Sequence, residues 1–187
     1  MHPDQIKDIL EAAIFISTEP VSLDKLATLF NEIEGPNKQE LRLLLQKLAE
    51  EYSTRSIQLQ EVAEGYRFQV NGDIAKRLAT WLDDQPIRFS RAFLETLSLI
   101  AYKQPITRGE IEEIRGVSVS SHIMRTLQEG DWIKAIGQRD VPGKPILYGT
   151  TPKFLSALNL RSLSELPPLS AMPEEEGAMQ LALDLPQ

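Results

Sequence analysis

Ser120, Ser121 and His122 stand in a row, and hydroxyls beside an imidazole are the parts of a nucleophilic acyl-transfer site. That chemistry needs a hydroxyl in contact with the ring nitrogen and an acid that orients the ring. Residues adjacent on one helix do not face each other, so the cluster reads as a polar helix face. Glu110, Glu112 and Glu113 are a second candidate, since clustered carboxylates can do acid–base work or hold a hard cation. The first half of a helix is also where the helix dipole favours carboxylates, and the trio reads that way. Gly143-Lys144-Pro145 puts a lysine in a glycine-containing loop but lacks the hydroxyl residue and the strand-to-helix setting of a phosphate cradle. The chain has no cysteine, which removes disulfides and thiolate metal sites. Its two histidines are His122 and His2, the latter expected at a frayed terminus. No catalytic residue, cofactor or metal site is expected.

Period and capping signals predict the elements that carry these residues. Ser90 can cap a helix with Leu94, Leu97, Ile100 and Ala101 inward, and Pro105 ends it. Thr107-x-x-Glu110 has capping-box form and opens a short helix with Ile111 and Ile114 on its core face, stopped by Gly116. A third helix, with Ile123 and Leu127 inward, runs to Gly130. Trp132–Ile136 and Ile146–Tyr148 then flank a Gly/Pro loop as the arms of a hairpin. Thr151 can cap a last helix with Pro152 in its first position and Phe154, Leu155 and Leu158 inward.

The first part of the chain repeats that order. Ile6, Ile9, Leu10, Ala13 and Phe15 or Ile16 form a helical stripe; Ser22 caps a second helix with Leu26, Leu29 and Phe30 inward. Asn37-x-x-Glu40 starts a third helix, lined by Leu41, Leu44, Leu45, Leu48 and Tyr52. Ile57 and Leu59, then Tyr66, Phe68 and Val70, alternate about Ala63-Glu64-Gly65 as a hairpin. A helix capped by Asp73 follows, with Ile74, Leu78 and Trp81 or Leu82 expected in the core. Glu19-Pro20-Val21-Ser22 with Leu26 and Leu29 aligns without gaps on Gln104-Pro105-Ile106-Thr107 with Ile111 and Ile114, a weak internal repeat. The expected fold class is mainly α with small β-hairpins (α+β): two tandem winged helix-turn-helix domains, 1–82 and 90–169, joined by a linker at 83–89 and followed by a disordered acidic tail at 170–187.

Several blocks are specific as a set: LETLSLIAYKQPITRGEIEEIRGV, then RTL, DVPGKPILYGTT and FLSALNLRSLSELPPL. In this order they resemble the ScpB family, accessory subunits of bacterial chromosome-condensing SMC complexes, over most of residues 1 to 169. The resemblance implies a non-enzymatic protein that binds the kleisin ScpA, which bridges the SMC ATPase heads, and that dimerises through its N-terminal domains. The run Val119–Met124, before RTL, is longer and more apolar than the family pattern leads one to expect.

Charge narrows the alternatives. Lys and Arg against Asp and Glu number 9 against 15 in residues 1–86, 11 against 8 in 87–166, and 0 against 4 in the remainder, giving balances of −6, +3 and −4. An acidic first domain is a poor partner for a phosphate backbone. A winged-helix transcription regulator is the competing class, but the third helix of the second domain offers only Arg125 as a formal cation, and the wing adds Arg139 and Lys144. At most weak, nonspecific DNA binding is expected. No apolar run approaches the roughly 20 residues that span a bilayer, and no signal peptide is visible, so a cytoplasmic protein is expected, associated with the nucleoid through the SMC complex.

The expected homodimer would use apolar residues in excess of a small core, Phe15, Ile16, Phe30 and Leu43. The kleisin would meet arginine and aromatic anchors on the second domain, Arg91, Phe93, Tyr102, Arg108 and Arg125. In the tail, Met179, Leu181, Leu183 and Leu185 are either incidental or a short docking motif.

Overall fold

The computed structural model describes residues 2–30, 35–82 and 89–168, so the expected tail at 170–187, and the expected linker apart from Phe89, lie outside the described residues. The chain forms two compact units, Met1–Gln85 and Pro86–Gln187. Among the described residues there are eight α-helices and two small antiparallel sheets.

In the first unit, α1 (Pro3–Phe15), α2 (Leu23–Ala27) and α3 (Lys38–Tyr52) precede a hairpin of β1 (Ile57–Val62) and β2 (Gly65–Val70), and α4 (Gly72–Trp81) closes it. Local chemistry sets the helix starts. His2 is no frayed end: its ring accepts from the Asp4 amide and its own amide donates to Gln5, capping α1. Ser22 caps α2, and Asn37 with Glu40 completes the capping box of α3. Ile6, Leu10, Ile14, Leu26, Phe30, Leu41, Leu45 and Leu48 make the core with Val21 and Leu59. Phe15 and Ile16 fall off that stripe and are exposed, as is Leu29 at the end of α2. The hairpin register, Val62↔Gly65 out to Ile57↔Val70, leaves Ala63 and Glu64 as the loop. Gly65 has φ +139 and lies where Val21 bridges Tyr66; a β-carbon there would sit 2.2 Å from the Val21 carbonyl oxygen.

α4 corrects two expectations. Asn71, not Asp73, is its cap, because the helix already begins at Gly72 and Asn71 accepts from the Asp73 amide. Ile74, Leu78, Trp81 and Leu82 are exposed and absent from the core. The stripe is real, but no element among the described residues of the unit buries it.

In the second unit, α5 (Arg91–Lys103) leads through β3 (Ile106–Thr107) into α6 (Arg108–Arg115) and α7 (Ser121–Glu129). The hairpin of β4 (Ile133–Gln138) and β5 (Ile146–Thr150) follows, then α8 (Pro152–Ala157) and a 3₁₀ turn at Leu163–Glu165. Ser90, Thr107, Ser120 and Thr151 cap α5, α6, α7 and α8, and Gly116 ends α6 at φ +70. β5 lies centrally, with β3 on one side and β4 on the other. Phe93, Leu97, Ile100, Ile111, Val119, Met124, Leu127, Trp132, Ile133 and Phe154 fill the core. Ile114, expected there, is exposed at 53%, while Met124 takes the inward place given to Ile123, which is only partly buried. The apolar run before RTL is thereby accounted for: Val119 and Met124 are core, with the cap Ser120 between them. No helix among the described residues is long and apolar enough to cross a membrane.

Candidate functional site

Of the residues that resembled catalytic groups, Ser120, Ser121, Glu110 and Glu112 hold helices in place. Ser120 Oγ accepts from the Ile123 amide as the α7 cap, and Ser121 Oγ accepts from Arg108 at 3.3 Å. Glu110 accepts from the Thr107 amide at 2.9 Å, and Arg139 pairs with it across to the wing. Glu112 accepts from the Val119 amide at 2.9 Å and from Arg108 at 3.0 Å. Each bond favours the ionised carboxylate. Glu110 is therefore held below the usual carboxylate range, first by the Thr107 amide and hydroxyl, and Glu112 likewise, first by the Val119 amide. Among the described residues no group of three or more His, Cys, Asp or Glu could hold a metal ion.

The same accounting sorts the expected anchors on the second unit. Phe93 is 6% exposed, with its ring stacked on Phe89 at 4.6 Å and edge-on to Trp132, so it serves the core and is not available as an anchor. Arg108 spans the α6–α7 turn, donating to Glu112, Ser121 and the Val119 carbonyl. Its loss would loosen that turn before it tested any partner. Tyr102 is partly buried, and its hydroxyl donates to the Pro167 carbonyl at 2.6 Å, fastening the segment after the 3₁₀ turn to α5; burial raises its pKa. Arg91 and Arg125 are the exposed pair, with side chains 92% and 74% accessible, each paired among the described residues with a carboxylate one turn along its own helix, Glu95 and Glu129. At about 100° per residue, Arg91, Glu95, Ser98 and Tyr102 fall within about 60° of one another around α5.

Arg115 was not expected at this surface. Its side chain, 9% accessible, reaches from α6 to Glu95 at 3.1 Å and ties α6 to α5. Helical period could have put Glu95 beside Arg91, but not Arg115, which arrives from another helix. Glu95 is held below the usual carboxylate range, first by Arg91 and then, against some desolvation, by Arg115. A depressed folded pKa gives stability that is complete above the unfolded value, about 4.3, and is lost as pH falls through the folded value. Glu95→Gln is expected to lower the urea midpoint at pH 7 and to leave it little changed near the acid end, about pH 3, measured by circular dichroism on both proteins. Equal differences at both pH values would remove the role given to the Glu95 carboxylate.

On the first unit, Phe15, Ile16 and Leu43 are exposed as expected of dimer contacts. Phe15 leans edge-on against Phe68 at 6.2 Å, and Leu43 lines a shallow groove with Pro3, Pro36 and Lys47. Phe30 is a correction: at 9% exposure it belongs to the core. The exposed face of α4 adds Ile74, Leu78, Trp81 and Leu82 to the surface. Helical spacing marked these residues as apolar but could not show that they stay exposed.

Residues 8–169 match the model of the family described as "Segregation and condensation complex subunit ScpB". The segregation and condensation protein B homolog of Coxiella burnetii is 52% identical over 163 residues, covering 87% of this chain and 78% of that protein. Segregation and condensation protein B of Bacillus subtilis is 40% identical over 172 residues, covering 91% and 85%. The crystal structure of ScpB from Mycobacterium tuberculosis is 33% identical, with a TM-score of 0.39 over 84% of this chain and 97% of that one. The capped helices and hairpins described above are therefore those of a chain that belongs to the ScpB family of segregation and condensation complex subunits.

Proposed function

We propose that the chain is a non-enzymatic subunit that binds the kleisin ScpA, and through it SMC, in chromosome condensation and segregation. Membership of the ScpB family carries the assembly role. The two folding domains are 1–82 and 90–169, each a winged helix; support comes from the order helix, helix, helix, hairpin, which occurs in both units. The protein works in the cytoplasm and reaches the nucleoid through its complex.

Two copies pair through the first unit with C2 symmetry. The exposed large apolar residues of α4, with Phe15, Ile16 and Leu43 elsewhere on the unit, are the observation that supports this. The kleisin contacts the second unit at the α5 face bearing Arg91 and Tyr102 and at Arg125 on α7. Exposed arginines within residues 87–166, whose balance is +3, suit an acidic segment and would speed encounter, while apolar contacts supply most of the affinity.

The test is affinity for ScpA of the chain carrying Arg91→Glu and Arg125→Glu together, with Arg108 left as the brace it is. Each change replaces an exposed pair within one helix by an i,i+4 repulsion that costs about 0.5 kcal/mol, too little to alter circular dichroism or dimer mass. Binding is expected to weaken about tenfold or more and to lose part of its salt dependence. Unchanged affinity with unchanged salt dependence would move the contact elsewhere.

A further inference from the structure

β4 is an edge strand. Among the described residues it is hydrogen-bonded to β5 on one side only, and every residue from Lys134 to Gln138 is exposed. The backbone groups that face away from β5 are open to another extended segment on either side of the irregularity at Ile136, where the register shifts between Ala135 and Gly137. Ile136 leaves apolar surface beside that row at 48% exposure, and Lys134, with Lys144 in the following loop, makes the edge basic. Lysine on an edge discourages pairing with a second β4, because like charges would meet, and suits a strand of opposite charge.

The chain carries such a strand in its own sequence. Met179, Leu181, Leu183 and Leu185 alternate without interruption with Gln180, Ala182 and Asp184, the period of a strand with one apolar face. Pro186 ends the run, as suits a residue with no amide to donate. Glu174, Glu175, Glu176 and Asp184 are the charges of residues 167–187, which contain no lysine or arginine. The tether is suitable as well. The Tyr102 hydroxyl holds Pro167 beside the end of α5, and Gln104, two residues on, accepts from the Thr150 amide at the end of β5. The stretch from Pro168 to Met179 can reach about 35 Å when extended, several times the strand spacing of about 4.8 Å, and holding both partners on one chain gives a local concentration of order millimolar. The hairpin edges of the first unit lie in a region of balance −6, which repels the same segment.

We propose that residues 179–185 add as a fourth strand to the open edge of β4, with their leucines covering Ile136 and their acidic flank set against Lys134 and Lys144. The bound segment shields the wing, so an acidic extended segment of another protein must displace it to use that edge.

Amide hydrogen exchange on the full-length chain tests this. In the wild-type chain, alternate amides within residues 180–185, and the β4 amides that face away from β5, should exchange about tenfold or more slowly than in Leu183→Pro, which breaks the strand in the tail alone. Lys134→Glu should lose the same protection by reversing the charge at the edge, with circular dichroism unchanged. Free-chain exchange of 180–185 in the wild type, or β4 protection identical in wild type and Leu183→Pro, would overturn the assignment. Protection that grows with protein concentration would also overturn it, by showing that the strand comes from a second copy.

Discussion

Replacing Gly65 by alanine is expected to destabilise the first unit by about 3–5 kcal/mol, a large part of the 5–15 kcal/mol that holds an ordinary domain folded. Two costs add. The backbone at φ +139 is one that only glycine adopts without strain, and the new methyl would lie 2.2 Å from the Val21 carbonyl oxygen and 2.6 Å from the Ser22 amide nitrogen. Those atoms cannot retreat cheaply, because Val21 and Tyr66 exchange backbone hydrogen bonds of 2.8 and 2.9 Å and Ser22 caps α2. Relief would come at the expense of the hairpin's tie to the helices. Urea unfolding followed by circular dichroism measures the effect; a loss below about 1 kcal/mol would mean that the bridge is readily given up. Ala63→Gly, in the two-residue loop next to it, is the control, because it leaves the bridge intact.

The second large effect is on self-association. Leu78→Glu with Trp81→Glu is expected to raise the dissociation constant of the proposed dimer at least about a hundredfold, since truncating one tryptophan anchor commonly costs about 2 kcal/mol or more and two buried carboxylates add a desolvation cost. Neither side chain supports the fold of its own unit: Leu78 is 37% and Trp81 78% exposed, and neither joins the core. Helix content should therefore be unchanged, so loss of the dimer can be separated from loss of structure. Sedimentation equilibrium at micromolar concentration decides the matter. A double variant that still sediments as a dimer of wild-type affinity would remove α4 from the interface and shift it to Phe15, Ile16 and Leu43.

What could be read from the sequence was local, and what could not was relational. Ser22, Asn37, Ser90, Thr107 and Thr151 announce helix starts because the capping bond closes within about three residues and needs nothing from elsewhere. Asn71 and Asp73 show the resolution of that signal: both can cap, and the choice turned on whether Gly72 joins the helix. Burial is decided by neighbours that arrive from other parts of the chain. Leu29 and Ile114, aligned by the internal repeat, are exposed at 48% and 53%, so the same pattern misleads at equivalent places in both copies. Phe93 shows the converse error, since an aromatic near an exposed arginine resembled an anchor until Phe89 and Trp132 closed over it.

The repeat was informative in a way its weakness hid. Val21 bridges Tyr66 in the first unit, and the aligned Ile106 pairs with Tyr148 in the second, where β3 extends the contact to two residues. A strand of that length has no periodicity to detect, which is why β3 was missed. Of the candidate surface, Arg91 and Arg125 could be found by type, whereas Arg115 and the uncovered face of α4 required the packing to be known.

The placement of the tryptophans has a spectroscopic consequence. The chain contains two, one in each unit: Trp132 is 7% exposed against Phe89 and Phe93, and Trp81 is 78% exposed on α4. Indole emission shifts to the red with water contact, so the spectrum of the intact protein is a sum of a blue component from the second unit and a red one from the first. A neutral quencher in solution reaches Trp81 and spares Trp132. Anything that covers α4 then moves the red component alone, and anything that opens the second core moves the blue, so a single cuvette can tell which unit has responded.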